Sequence, residues 1–73
     1  LRFVEVHAKN RWLLLAHNPT DGVLMLDRTL PWATGSLSLH RSGNHTPAGE
    51  PLETADGRIR LDIPAHGHIV IEK

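Results

Sequence analysis

The segment from Leu52 to Lys73, LETADGRIRLDIPAHGHIVIEK, restricts what this chain can fold into more than any other part of it. Ile59, Leu61 and Ile63 alternate with Arg58, Arg60 and Asp62. A period of two puts the apolar side chains on one face of an extended strand and the charged ones on the other. Asp56-Gly57 ahead of it has the chemistry of a hairpin turn. Pro64-Ala65-His66-Gly67 reverses the chain into a further strand, His68 to Glu72. The pattern predicts a closing β-meander and an all-β domain.

The remainder agrees with that class. Leu1 to Ala8 alternates, with Phe3, Glu5 and His7 on one face and Val4, Val6 and Ala8 on the other. Lys9-Asn10 is a short turn, and Arg11 to His17 (RWLLLAH) is apolar enough for a strand covered on both faces. Asn18-Pro19-Thr20-Asp21-Gly22 reads as a five-residue hairpin loop, with Val23 to Asp27 as the returning strand. Leu and Met also favour helix, but Pro19 and Gly22 would break a helix over 11–28 in its middle.

Arg28 to Gly35, holding Pro31 and Trp32, reads as a crossing segment. Ser36 to Arg41 alternates again. Ser42 to Pro51, rich in Gly and Pro, is the least regular stretch, and Leu52 to Thr54 forms a short edge strand. The expected fold is a small antiparallel β-sandwich of six to seven strands, Greek-key or meander, in one domain spanning 1–73. Its expected inward face is Val4, Val6, Leu13, Leu15, Leu24, Leu26, Leu37, Leu39, Ile59, Leu61, Ile63, Ile69 and Ile71.

Size and charge narrow the function classes. A chain of 73 residues has room for one domain. It buries only about 60% of its unfolded surface. With no cysteine it has no disulfide to staple it. Both facts favour a domain packed against something larger. Eight basic and eight acidic residues are spread evenly, so no basic run points to nucleic acid. No apolar run approaches the ~18 residues of a membrane span. Six histidines would make the domain net positive below about pH 6.5. The chain opens on a strand without an initiator Met and reads as the C-terminal piece of a longer protein. Cytosolic and exported locations both fit.

No catalytic residue emerges. Two opposed carboxylates at about 5 Å or roughly 6.5–9.5 Å could hydrolyse a glycosidic bond. However, Asp21 and Asp56 sit in turn sequences, and Glu5, Asp62 and Glu72 alternate with apolar neighbours as solvent-facing strand residues do. Ser36, Ser38 and Ser42 lie near His40, but no nucleophile elbow or oxyanion loop surrounds them. His66 and His68 form an HxH pair that could seat two metal ligands, with a third from His7, His17, His40 or His45. Against that, His66 falls in the Pro64–Gly67 turn, and HxH alone does not make a metal site. No cofactor is implied. Trp12 and Trp32 are two of only three aromatics, and an exposed indole stacks well on a sugar ring. Trp12 lies inside an apolar strand, which favours burial. Trp32 follows Pro31 and could plug one end of the sandwich.

Taken together, the strand–NPTDG–strand unit, SLSLHRSG and the closing GRIRLDIPAHGHIVIEK resemble the C-terminal β-domain that follows the catalytic barrel of glycoside hydrolases. The likeness is to the α-amylase clan or to α-galactosidases, and it covers about Arg11 to Lys73. Asn18, Pro19, Thr20 and Asp21 occupy the loop of that pattern. Gly57, Ile59, Leu61, Ile63, Pro64, Ala65, Gly67, Val70, Ile71 and Glu72 occupy its ending. The resemblance implies a non-catalytic accessory domain that packs on and stabilises the catalytic domain of the same polypeptide, sometimes adding an oligosaccharide-binding surface. The family's catalytic carboxylates lie on the barrel, so none carries over to this chain. A stand-alone carbohydrate-binding module using Trp32 and Trp12 is the alternative, and a small metal-binding β protein centred on His66 and His68 is a third.

Overall fold

The computed structural model describes residues 1–43 and 49–73. Over these residues the chain is all-β, with seven antiparallel strands in two sheets. The strands are β1 (Arg2–Ala8), β2 (Arg11–His17), β3 (Leu24–Thr29), β4 (Gly35–Arg41), β5 (Glu50–Thr54), β6 (Arg58–Ile63) and β7 (His68–Glu72). Five of them form one sheet in the order β1-β2-β7-β4-β5, and β3 pairs with β6 in the second. Among the described residues no helix is long and apolar enough to cross a membrane. Residues 44–48, within the stretch expected to be irregular and including His45, lie outside the described residues.

The closing segment is not a meander. β5, β6 and β7 are consecutive in sequence, yet none pairs with the next. Asp56-Gly57 leads from one sheet to the other, and Pro64–Gly67 leads back. The Asn18–Gly22 loop likewise carries β2 across to β3 and closes no hairpin. Turn residues specify that the chain reverses; they do not specify which strand it will then pair with. Side-chain patterning decides that. β2 and β7 carry apolar residues on both faces, and each takes an interior place in the five-stranded sheet. β6 has one charged face and goes to the two-stranded layer, where that face meets solvent. Pro51, which has no N–H to give a ladder, lies on β5 at the sheet edge.

The core is built from Leu14, Ala16, Leu26, Leu37, Leu39, Ile59, Ile63, Ile69 and Ile71, with Leu30 and Ala33 contributed by the crossing segment. This corrects the expected inward face in β1 and β2. Leu14 and Ala16 are fully buried, whereas Val4, Val6 and Leu15 are exposed and Leu13 is half-buried. The pairing Val4↔Leu15 and Val6↔Leu13 sets these four on the outer face together. A one-residue slip in parity exchanges the two faces of a strand, and an unbroken apolar run leaves nothing in the sequence to choose between them. Leu24 and Leu61 are half-buried.

One polar side chain is wholly buried among the described residues. Asn18 shares its two Nδ2 hydrogens among the carbonyls of Gly22 (2.7 Å), Ile63 (2.9 Å) and Pro64 (3.1 Å). Its Oδ1 accepts from the Thr20 amide (2.9 Å) and hydroxyl (2.6 Å). It thereby ties the β2–β3 arch to the β6–β7 arch at one end of the sandwich. At the opposite end Gly57 adopts φ 78° and its carbonyl accepts from the Leu30 amide at 2.9 Å, joining the β5–β6 arch to the crossing segment. A side chain at Gly57 would run into the Leu30 carbonyl oxygen.

Candidate functional site

A two-stranded layer cannot cover a five-stranded sheet, since each strand adds only about 4.8 Å of width. The shortfall falls on β1, every residue of which is exposed, and on the start of β2. There the hairpin register sets His7 opposite Trp12 on the inner face. Their rings lie 4.1 Å apart, tilted by 48°. The crossing segment brings Trp32 to the same place, stacked on Trp12 at 5.9 Å and 25°, with its edge toward His7 at 6.4 Å. The two tryptophans, 20 residues apart in sequence, thus share one cluster. Trp12 is 36% exposed and does not enter the core, contrary to the expectation from its apolar strand. Trp32 is half-buried against the core, and its indole N–H is buried with no hydrogen-bond partner among the described residues.

Polar groups border the cluster. Glu5 Oε2 lies 3.3 Å from His7 Nε2, and Glu5 Oε1 lies 3.6 Å from the Arg28 guanidinium. Arg28 in turn covers the Phe3 ring at 4.8 Å. An open cleft of about 440 Å³ is lined by Glu5, His7, Trp12, Pro31 and Trp32. Another of about 430 Å³, lined by Asn10, Trp12, Trp32 and Lys73, adjoins the same rings. Neither Glu5 nor His7 stood out in the sequence as a partner of the tryptophans; the β1–β2 register is what brings them there.

The histidine pair is not brought together as a site. His66 sits in the turn with φ 56°, and its Nε2 lies 2.6 Å from Asp21 Oδ1. His68 stands on β7 beside His17 across the ladder. Among the described residues no three His, Asp or Glu side chains converge as a metal site would require. The carboxylates are engaged elsewhere. Asp56 accepts from the Arg58 amide at 3.0 Å, shaping its own turn, and Glu50 meets Arg41 at 2.7 Å. Asp27 is held below the usual carboxylate range by hydrogen bonds from Arg58 at 3.0 and 3.1 Å, with Arg60 nearby. Glu72 is lowered by its hydrogen bonds from Arg11 (2.6 Å) and His40 (2.9 Å). Of the serines, Ser42 Oγ accepts from the His68 amide at 3.1 Å, and Ser36 Oγ donates to Glu53 at 3.4 Å.

The two outer faces differ in chemistry. On the two-stranded sheet Asp27, Arg58, Arg60 and Asp62 make a charged, solvated surface. On the five-stranded sheet Val4, Val6, Leu13, Leu15 and Val70 adjoin through the ladder registers Val6↔Leu13 and Val4↔Leu15↔Val70. Arg2, His17 and His68 border this apolar block on one side, and Arg11, Glu72 and His40 on the other. A contiguous apolar patch with a polar rim is the surface pattern of an interaction site.

Comparison with protein-family models, with curated proteins and with solved structures finds nothing that matches this chain. Its fold and surfaces describe a small all-β domain with a charged outer face on the smaller sheet, an apolar patch on the outer face of the larger one and an aromatic cluster at one end.

Proposed function

We propose that this chain is a non-catalytic accessory domain of a glycoside hydrolase, which packs on and stabilises the catalytic domain of the same polypeptide. One observation carries the packing half of this reading: Val4 (53% exposed), Val6 (46%) and Leu15 (37%) lie side by side on the outer face of the larger sheet. Strand residues of this kind ordinarily face a core. Covering such a face with another domain removes it from water at about 25 cal/mol per Å². The enzyme-class half rests on the resemblance of the Asn18–Asp21 loop and of the Gly57–Glu72 ending to the C-terminal β-domains of such hydrolases. Asp27, Glu50 and Glu72 are paired with arginines and Asp56 with a backbone amide, as structural carboxylates are.

The test has two arms. The coding sequence upstream of Leu1 is expected to carry the alternating strand–helix pattern of a (β/α)₈ barrel; another fold there removes the enzyme assignment. In the full polypeptide, Val4→Ser with Leu15→Ser is expected to lower the melting temperature of the catalytic domain while the isolated β-domain keeps its own. An unchanged catalytic-domain melt removes the docking assignment.

A further inference from the structure

From the basic border of the apolar outer face we infer that Arg2, His17 and His68 together receive a carboxylate that the docked partner surface presents beside its own apolar side chains. The inference rests on the docking reading proposed above and names the chemistry of the partner. Three observations select it.

The row is basic and lacks an acid. The registers Arg2↔His17 and His17↔His68 set the three side chains in line across β1, β2 and β7. Among the described residues none of the three has an ion-pair partner, and residues 44–48 contain no acid. Asp21, the acid of the loop that follows β2, is turned to His66 at 2.6 Å. Across β7 the row meets the Ser42 hydroxyl, which is neutral. Arg2 carries its charge throughout, and each imidazole offers an N–H. Protonated imidazoles would stand as like charges opposite one another in the ladder, which an anion offsets.

The opposite border of the same face shows what such a set of donors holds. There Glu72 accepts from Arg11 on one oxygen (2.6 Å) and from His40 on the other (2.9 Å). An arginine and an imidazole from the strands on either side of β7 thus hold one carboxylate by charge-assisted hydrogen bonds. Arg2, His17 and His68 repeat these donor types at the other border, and among the described residues no carboxylate stands in the place that Glu72 takes.

The floor beside the row is apolar. Arg2, Val4, Leu15, His17 and His68 line an open cleft of about 520 Å³, with Val4 and Leu15 both exposed. A bare anion would leave that floor in water, whereas a carboxylate flanked by apolar side chains covers it. A sheet face encloses a small ligand on one side only, but a partner domain is buried against it over its whole contact surface.

Octanoate, a carboxylate with an apolar tail, is the probe. Octyltrimethylammonium keeps the tail under a cationic head, and acetate keeps the head alone. The 73-residue chain is titrated with each at millimolar concentration, following the methyl resonances of Val4 and Leu15 and the ring resonances of His17 and His68. Octanoate is expected to saturate and to bind about fivefold or more tighter than either control. It is expected to bind tighter at about pH 6 than at about pH 8, because the imidazoles gain charge. Arg2→Gln combined with His17→Gln and His68→Gln is expected to weaken octanoate about fivefold. Should that triple variant fail to fold, Arg2→Gln alone, on the exposed edge strand, is expected to weaken it about threefold. The inference is overturned if octanoate and octyltrimethylammonium bind within about twofold of each other, if acetate matches octanoate, or if the variant leaves octanoate affinity unchanged. In the full polypeptide the triple variant is expected to lower the catalytic-domain melt at low salt and to lose that effect at high salt. If Val4→Ser with Leu15→Ser lowers that melt and the triple variant does not, this inference falls and the docking reading stands; if neither lowers it, both fall.

Discussion

Asn18→Ala removes the wholly buried amide that joins the two arches at one end of the sandwich. Five polar contacts end with it: its two N–H groups are shared among the carbonyls of Gly22, Ile63 and Pro64, and its oxygen accepts twice from Thr20. The Ile63 carbonyl is buried, and losing its donor costs about 1–3 kcal/mol. The other four contacts are part-buried, so water recovers most of each; a residual of a few tenths of a kcal/mol apiece is a reasonable share of the usual ~1 kcal/mol. The sum is about 3 kcal/mol. For a domain this small that corresponds to a fall in melting temperature of roughly 12–24 °C. Urea unfolding followed by far-UV circular dichroism and by indole emission measures it. Asn18→Asp sharpens the test. It keeps the shape and the oxygen that accepts from Thr20 but turns a carboxylate toward three carbonyl oxygens, so its pKa in the folded state is raised. Such a group loses stability as pH rises above the ordinary Asp value of about 3.9, so this variant is expected to be worse than Asn18→Ala at neutral pH and to recover in acid. If both variants unfold within about 0.5 kcal/mol of the parent, the side chain does not hold the arches and the argument from burial is wrong.

Gly57→Ala places a methyl group against the Leu30 carbonyl at a φ of 78°; a loss of about 2–4 kcal/mol is expected by denaturant unfolding, and a neutral outcome would show that the crossing segment can shift. Glu72 has its pKa lowered by Arg11 and His40, so its contribution is present above the ordinary carboxylate range and is lost as pH falls through the lowered value. Parent and Glu72→Gln melting curves are therefore expected to differ at neutral pH and to converge in strong acid; curves that differ equally at both would refute the linkage. Zinc or a chelator is expected to leave the melting temperature unchanged, because His66 is turned to Asp21 in a tight turn while His68 stands beside His17 on the sheet. A zinc-dependent rise in the melt would reopen the histidines as ligands.

Much of the secondary structure was legible from the residues. Arg11–His17 and His68–Glu72 have the bounds that alternation, apolar content and flanking turn residues predict. Both signals are local, and they act over the few residues that a strand spans. The pairing was not legible. Asn18–Gly22, Asp56-Gly57 and Pro64–Gly67 all carry reversal chemistry and all become arches between sheets. The parity of β2 was hidden for a related reason: RWLLLAH is apolar at every interior position, and only its partners show that Leu14 faces in and Leu15 out. The aromatic site was half visible. Trp12 and Trp32 stood out by their rarity, whereas Glu5 and His7 look like ordinary strand residues until the hairpin register sets His7 against Trp12.

By itself, then, the sequence determined an all-β chain of short strands, because period-two alternation and turn residues act between near neighbours. The tertiary structure alone decided that β7 lies between β2 and β4, that Val4 and Leu15 share an apolar outer face, and that two tryptophans meet at one end. Those outcomes depend on which distant strands compete for the same ladder and on how much of a five-stranded sheet two strands can cover. No short stretch of residues carries that information.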